Sequence, residues 1–131
     1  MRKALALLTI LCVVTPACGS KKTLRVSDIQ VGRSLNADNS IRDHVTTFAP
    51  RDSIYVSVLT EGKGSAMLSI RFTLGGRVLN EPKKQVEYAD SAATDFGLQT
   101  GWGFPAGQYT AEVFMDGQPV GVRKFRVEER R

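Results

Sequence analysis

The chain has 131 residues, with 18 Lys or Arg against 13 Asp or Glu, one His, and a formal net charge of +5. That length suits one domain. The basic residues are interleaved with acids, so the charge is a solubility-level excess and not a nucleic-acid footprint. One histidine, two cysteines and three methionines leave no cluster of soft ligands of the kind a copper carrier needs.

The first 17 residues read as a signal peptide. Arg2 and Lys3 form a basic start, and Ala4 to Val14 is an uncharged apolar run. That run is shorter than the roughly 20 residues a membrane span requires. Thr15-Pro16-Ala17-Cys18 resembles bacterial lipoprotein signals, in which the cysteine is diacylated and becomes the mature N-terminus. Thr15 stands where such signals usually have Leu, and Pro16 is uncommon there. The resemblance implies lipidation of Cys18 and a tether over residues 18–23. Gly19 after the cysteine, with no Asp, implies the outer membrane, facing the periplasm. The plainer alternative is an ordinary signal cleaved nearby. Cleavage before Cys18 removes Cys12 as well, so no disulfide is expected and the fold must rest on its core. It also lowers the net charge to +3 through loss of Arg2 and Lys3. Lys21 and Lys22 next to the anchor either attract anionic headgroups, each by on the order of 1 kcal/mol, or form a solvated tether.

From Leu24 the pattern is that of short strands. Leu24-Arg-Val26 and Ile29-Gln-Val31 alternate around Ser27-Asp28, which predicts a first strand with a kink or bulge. Asn36 to Ser40 is a turn-forming cluster, and Ile41 to Phe48 starts a second extended piece. Ser53 to Thr60 has Ile54, Val56 and Val58 on one face and Tyr55, Ser57 and Leu59 on the other. After a flexible loop at 61–65, Ala66 to Leu74 puts Leu68, Ile70, Phe72 and Leu74 inward. Gly75-Gly76 permits positive φ at both centres of a tight turn into Arg77-Val-Leu79. Residues 82–93 fit either an edge strand guarded by lysines or a short helix using Val86, Ala89 and Ala93. Phe96 and Leu98 then share one face.

The segment Phe104 to Val127 carries the strongest hairpin signal. Tyr109, Ala111, Val113 and Met115 alternate inward. On the return strand Val120 and Val122 have one parity and Phe125 and Val127 the other, which implies a bulge near Gly121. The sum is an all-β chain, an antiparallel β-sandwich of about seven strands over residues 24–128, with a charged tail at 129–131. Gly107-Gln-Tyr109 places a tyrosine as in the tyrosine corner of immunoglobulin-like domains. Ala111 and Val56 stand where antibody domains have cysteines, and Phe72 near the place of their buried tryptophan.

FAPRDSIYVSVLTEGKG followed by PAGQYTAEVFMDGQPVGVRKFRV resembles a group of small bacterial secreted or lipid-anchored proteins with an immunoglobulin-like sandwich. The group shows a Phe-x-Pro-x-Asp-x-Ile-Tyr-Val-Ser-Val strand, a Thr-Glu-Gly loop, a Trp-Pro-x-Gly-x-Tyr turn and an Asp-Gly hairpin. Here Phe104 precedes the proline, with Trp102 two residues earlier. The resemblance spans most of residues 46–127 and implies the fold, with no settled activity.

No catalytic constellation emerges from the sequence. His44 has Asp43 beside it, but neighbours in sequence point to opposite sides of a strand. Gly62 to Ser65 lacks the earlier glycine of a P-loop, and the strand after Pro105 leaves no helix to receive a pyrophosphate at Gly101 to Ala106. The expectation is therefore a non-catalytic protein without cofactor or metal, anchored by lipid at Cys18 and binding another envelope protein, with no nucleic-acid partner. Phe114, Arg123, Lys124, Arg126, Trp102 and Phe104 are the candidate contacts, because aromatic and Arg side chains supply most interface anchors. For Trp102 and Phe104 the competing role is to cap the open end of the core. Two alternatives stand beside this reading: an inhibitor of an envelope or extracellular hydrolase, and a glycan- or lipid-binding accessory domain. For the inhibitor, positive charge disfavours cationic lysozymes and leaves proteases open.

Overall fold

Period-two alternation decides the architecture. The computed structural model describes residues 23–100 and 102–129, so Cys18 and the expected signal lie outside the described residues. Within them the chain forms β1 (Arg25–Gly32), β2 (Thr47–Phe48), β3 (Ile54–Glu61), β4 (Gly64–Leu74), β5 (Arg77–Asn80), β6 (Lys83–Tyr88), β7 (Ala92–Leu98), β8 (Gly107–Met115) and β9 (Gln118–Val127). One sheet has the order β1-β3-β7. The other runs β2-β9-β8-β4-β5, with β6 also pairing with β4. The named ladders are antiparallel except β2 with β9, which is parallel through Thr47–Arg126 and Phe48–Val127.

The two sheets face each other across an apolar interior. Ile54, Val56 and Val58 from the first meet Leu68, Ile70, Phe72, Tyr109, Ala111 and Val113 from the second, all fully buried. Each large side chain so buried contributes about 1.5–3 kcal/mol. Val56 and Ala111 lie in opposite sheets, as expected, with apolar packing in place of sulfur. Tyr109 stacks on Phe125 at 5.2 Å between ring centroids, and Phe48 and Phe104 meet this pair edge-on. The Tyr109 hydroxyl donates to the Pro105 carbonyl at 2.6 Å, completing the tyrosine corner.

Both tight hairpins follow from φ. Gly75 and Gly76 have φ of 58° and 87°, and Asp116 and Gly117 have 51° and 84°, the positive pairs that a two-residue hairpin turn needs. The predicted bulges are present. β1 shifts register between Val26 and Asp28. In the last hairpin Val113 pairs with Gly121 but Phe114 with Pro119, which leaves Val120 as the extra residue.

Several expectations change. Of the two readings of 82–93 the edge strand holds, over Lys83–Tyr88, because its pairing with β4 buries Val86. Nine strands replace about seven: β2 is only two residues, and the 77–88 edge is broken at Glu81-Pro82. Pro82 has no N–H to give, while its carbonyl accepts from the Ile70 N–H. The 41–48 stretch is strand only at Thr47–Phe48. Before that it folds back, with isolated bridges from Ile41 to Leu35 and from His44 to Gly32. Gly32 permits this close return, since a Cβ there would run into the Asp43 carbonyl. The flexible loop expected at 61–65 is a short turn, and β4 already begins at Gly64.

Register fixes the two ends of the sandwich. At one end lie the start of β1, the β3–β4 turn, the β6–β7 turn and Asp116-Gly117. At the other lie residues 33–35 and 42–53, Gly75-Gly76, residues 99–100 and 102–106, and the end of β9, while residues 36–41 lean back over the smaller sheet.

Candidate functional site

The outer face of the larger sheet gathers the exposed side chains of β4, β8 and β9. Ser69 pairs with Phe114, Arg71 with Glu112 and Thr73 with Thr110. On the next strand Glu112 pairs with Val122, Thr110 with Lys124 and Gln108 with Arg126. Phe114 is therefore outward, as expected, and it is half-buried because Arg71 lies 4.9 Å over its ring. A cation over an aromatic ring at an exposed site contributes about 0.5–1 kcal/mol. Arg71 also donates to Glu81 at 2.6 Å and sits 3.7 Å from Glu112. The Glu81 hydrogen bond holds the guanidinium still more firmly protonated than usual. Met67, Val120 and Val122 are exposed near this group. Lys124 and Arg126 continue the face toward the far end, where Arg126 pairs with Glu128 at 3.2 Å.

Three of the six expected contact residues thus share one face, and three do not. Arg123 has the opposite parity to Lys124 and Arg126. Its Nε donates to the Ile29 carbonyl at 2.9 Å, and its NH2 reaches Asp28 at 3.3 Å. It bridges β9 to β1. Trp102 and Phe104 part company. Phe104 is only 7% exposed and packs on Tyr109, while its N–H donates to the Pro50 carbonyl at 2.7 Å. Phe104 is core and is withdrawn from the contact set. Trp102 is 86% exposed, so it does not cap the core.

Of the two residues set aside on sequence grounds, Asp43 is held by an ion pair and His44 is exposed. The Asp43 carboxylate accepts from Arg33 at 3.1 Å, and His44 sits exposed beside a groove with Arg123 and Val31.

Sequence reading missed a second feature. The 36–41 turn folds over the outer face of the smaller sheet. There the Ser57 hydroxyl donates to the Asn39 carbonyl at 2.8 Å, and Ile41 is buried. Ser57 is fully buried although its parity is outward. The turn leaves an open cleft of about 610 Å³ lined by Asp38, Ser40, Leu59, Glu61, Ser91 and Ala93, among others. The polar cluster Asn36 to Ser40 marked a turn but not the surface it would cover.

Charge is also distributed unevenly. All 13 acidic residues but only 12 of the 18 basic ones fall within 23–129, so this region carries −1. The positive excess of the full chain resides outside it, in Arg2, Lys3, Lys21, Lys22, Arg130 and Arg131. Repulsion between two positive bodies consequently loses its force as an argument against cationic targets.

No protein-family model matches the chain, and no curated protein does. Among solved structures it is similar to an immunoglobulin-like protein from Pseudomonas aeruginosa. The TM-score is 0.56 at 14% identity, over 84% of this chain and 100% of that one. With nine strands in two facing sheets and a tyrosine corner, the fold of this chain is immunoglobulin-like.

Proposed function

We propose that the chain is a non-catalytic, lipid-anchored envelope protein whose sandwich docks another protein through the outer face of the larger sheet. The observation that carries this reading is the grouping of Phe114, Met67 and Val122 with Arg71, Lys124 and Arg126 on one face. Aromatic, Met and Arg side chains are the types enriched at protein interfaces, inside a polar rim that Lys124 can supply. A photo-crosslinking amino acid placed at Met67 or Val122 should give one adduct of defined mass in cell envelopes. Placed at Tyr55, on the other sheet, it should not. Identical adducts from both faces, or none, would count against the reading. The anchor has its own test: fatty-acid label should appear on the wild-type chain and vanish with Cys18→Ser.

Trp102 favours a second reading, a glycan- or lipid-binding end. Its ring is exposed, while the next residues are fixed by the Phe104–Pro50 and Tyr109–Pro105 hydrogen bonds. Quenching of this sole tryptophan on titration with glycans or lipids would support it.

A further inference from the structure

The cleft beside the 36–41 turn borders one unpaired position on a strand edge, Ala93 of β7. Two carbonyls show which way the smaller sheet's edge groups face. Asp95 O accepts from Lys84 Nζ at 2.5 Å, and Ile29 O accepts from Arg123 Nε at 2.9 Å. Both therefore point away from β3, the strand between them. Asp95 pairs with Ser57 and Ile29 with Val58, neighbouring positions on β3, so the two ladders agree. Groups alternate along an antiparallel ladder, so the N–H and C=O of Ala93 face the same free side as those of Asp95. Lys84 covers the edge at Asp95. Two residues further along, Ala93 opens into the cleft and has no backbone partner on that side among the described residues.

The walls around Ala93 suit a particular occupant. Leu59, Ala92 and Ala93 make a low apolar floor, and small side chains here let another backbone approach closely. Asp38 and Glu61 supply two carboxylates on the rim. The Ser40 hydroxyl and N–H hold the Asp38 carboxylate in place at 2.5 and 3.0 Å and keep its pKa below the usual value. Glu61 shares its charge with Arg25 at 2.5 Å, and Lys63 lies in the adjoining turn.

We propose that this cleft receives an extended, lysine- or arginine-bearing segment of a partner protein, which adds to the β7 edge at Ala93 while a cationic side chain meets Asp38 and Glu61. Main-chain bonds to a free edge supply affinity in strand addition, and side-chain contacts supply specificity. The surface is separate from the Phe114 face, and failure of either leaves the other standing.

The test uses the full chain in detergent and a fluorescein-labelled octapeptide of alternating lysine and threonine, read by anisotropy. Saturable binding is expected. A peptide N-methylated along one edge should bind about tenfold more weakly, as loss of one or two net hydrogen bonds implies. Asp38→Asn and Glu61→Gln should each weaken binding about threefold, the scale of an exposed ion pair. A glutamate–threonine peptide should not bind, and Phe114→Ala should change nothing. Ala93→Pro removes the edge N–H at a position where an edge strand tolerates proline, and should match the N-methylated peptide. If that variant fails to fold by circular dichroism, the N-methylated peptide carries the same information. Equal affinity for the N-methylated or the acidic peptide, or no saturation into the millimolar range, would overturn the proposal.

Discussion

Along one side of the sandwich β6 runs beside β7; along the other, β9 runs beside β1. Each seam is crossed by a cation from a position whose parity is inward. Lys84 pairs with fully buried Leu68, yet its Nζ swings out to the Asp95 carbonyl at 2.5 Å, with the Asp95 carboxylate at 3.8 Å. Arg123 pairs with fully buried Ala111 and reaches the Ile29 carbonyl and Asp28. Inward-placed charge on an edge strand is one way sheets avoid pairing with other chains. The seams differ in room. At β6–β7 the charge of Lys84 lies 5.2 Å over the Phe96 ring, and the Tyr88 and Thr94 hydroxyls bond at 2.7 Å. At β9–β1 there is no space to spare: a Cβ on Gly121 would come within 2.6 Å of Ile29 Cδ1. A roomy seam is closed by a long flexible side chain, and a tight one by a planar fork beside a missing side chain.

Removing the platform of the roomy seam should have the largest effect. Phe96→Ala should cost about 3–5 kcal/mol, a large share of the roughly 5–15 kcal/mol typical of a domain, measured by urea unfolding. In the tight seam Gly121→Ala should cost about 1–3 kcal/mol, because the new methyl displaces Ile29. Ile29→Val removes the clashing Cδ1, so Gly121→Ala should cost less in that background, with a coupling of about 0.5 kcal/mol or more. Simple additivity would mean that this contact does not set the spacing of β9 and β1.

Tyr109 ties the core on neither seam and serves as a reference. Tyr109→Phe should cost about 1 kcal/mol through the lost bond to Pro105. Burial raises the phenol's pKa above its ordinary value of 10.0. The folded state therefore holds this proton more tightly than the unfolded state does. Its contribution is complete below about pH 10 and is lost as pH rises through the raised value. Thermal melts above pH 10 should fall more steeply for the wild type than for Tyr109→Phe.

The strands and both hairpins were legible because Leu68-Ser-Ile70-Arg-Phe72 and Tyr109-Thr-Ala111-Glu-Val113 alternate cleanly, and because Gly75-Gly76 and Asp116-Gly117 admit positive φ. A bulge does lie near Gly121, at Val120, but the valine parity that suggested it has another cause: Val122 faces outward and Phe125 inward along an unbroken register. What was not legible depends on contacts across the chain. Arg123 and Lys124 look alike in sequence, but one residue of register separates a seam from an outer face. Phe104 and Trp102 differ by two positions and by nearly the whole range of exposure, since Gly103, at φ 99°, turns the backbone between them. The cleft exists because Gly32 lets the 36–41 turn fall back onto Ser57, and no local pattern encodes where a turn lands.

The two cations themselves give the smallest stability effects and the finest discrimination. Arg123→Ala should cost about 1 kcal/mol, at the lower end for a charged hydrogen bond because the side chain is half exposed. Arg123→Lys should recover less than half of it, since an ammonium cannot serve the Ile29 carbonyl and the Asp28 carboxylate in the same fork. Lys84→Met should cost less still, about 0.5 kcal/mol or under, because the thioether keeps the cover over Phe96 while giving up only an exposed charge. Its larger consequence is intermolecular. With Nζ gone, the Asp95 carbonyl extends the free edge from Ala93 toward Gly97, so that two copies of the chain can pair along it. Light scattering should then show concentration-dependent association for Lys84→Met. Arg123→Ala should stay monodisperse, because Pro119 and the bulge at Val120 still interrupt the β9 edge. Equal association of the two variants would mean that the cations guard their seams alone; none in either would mean that they guard nothing.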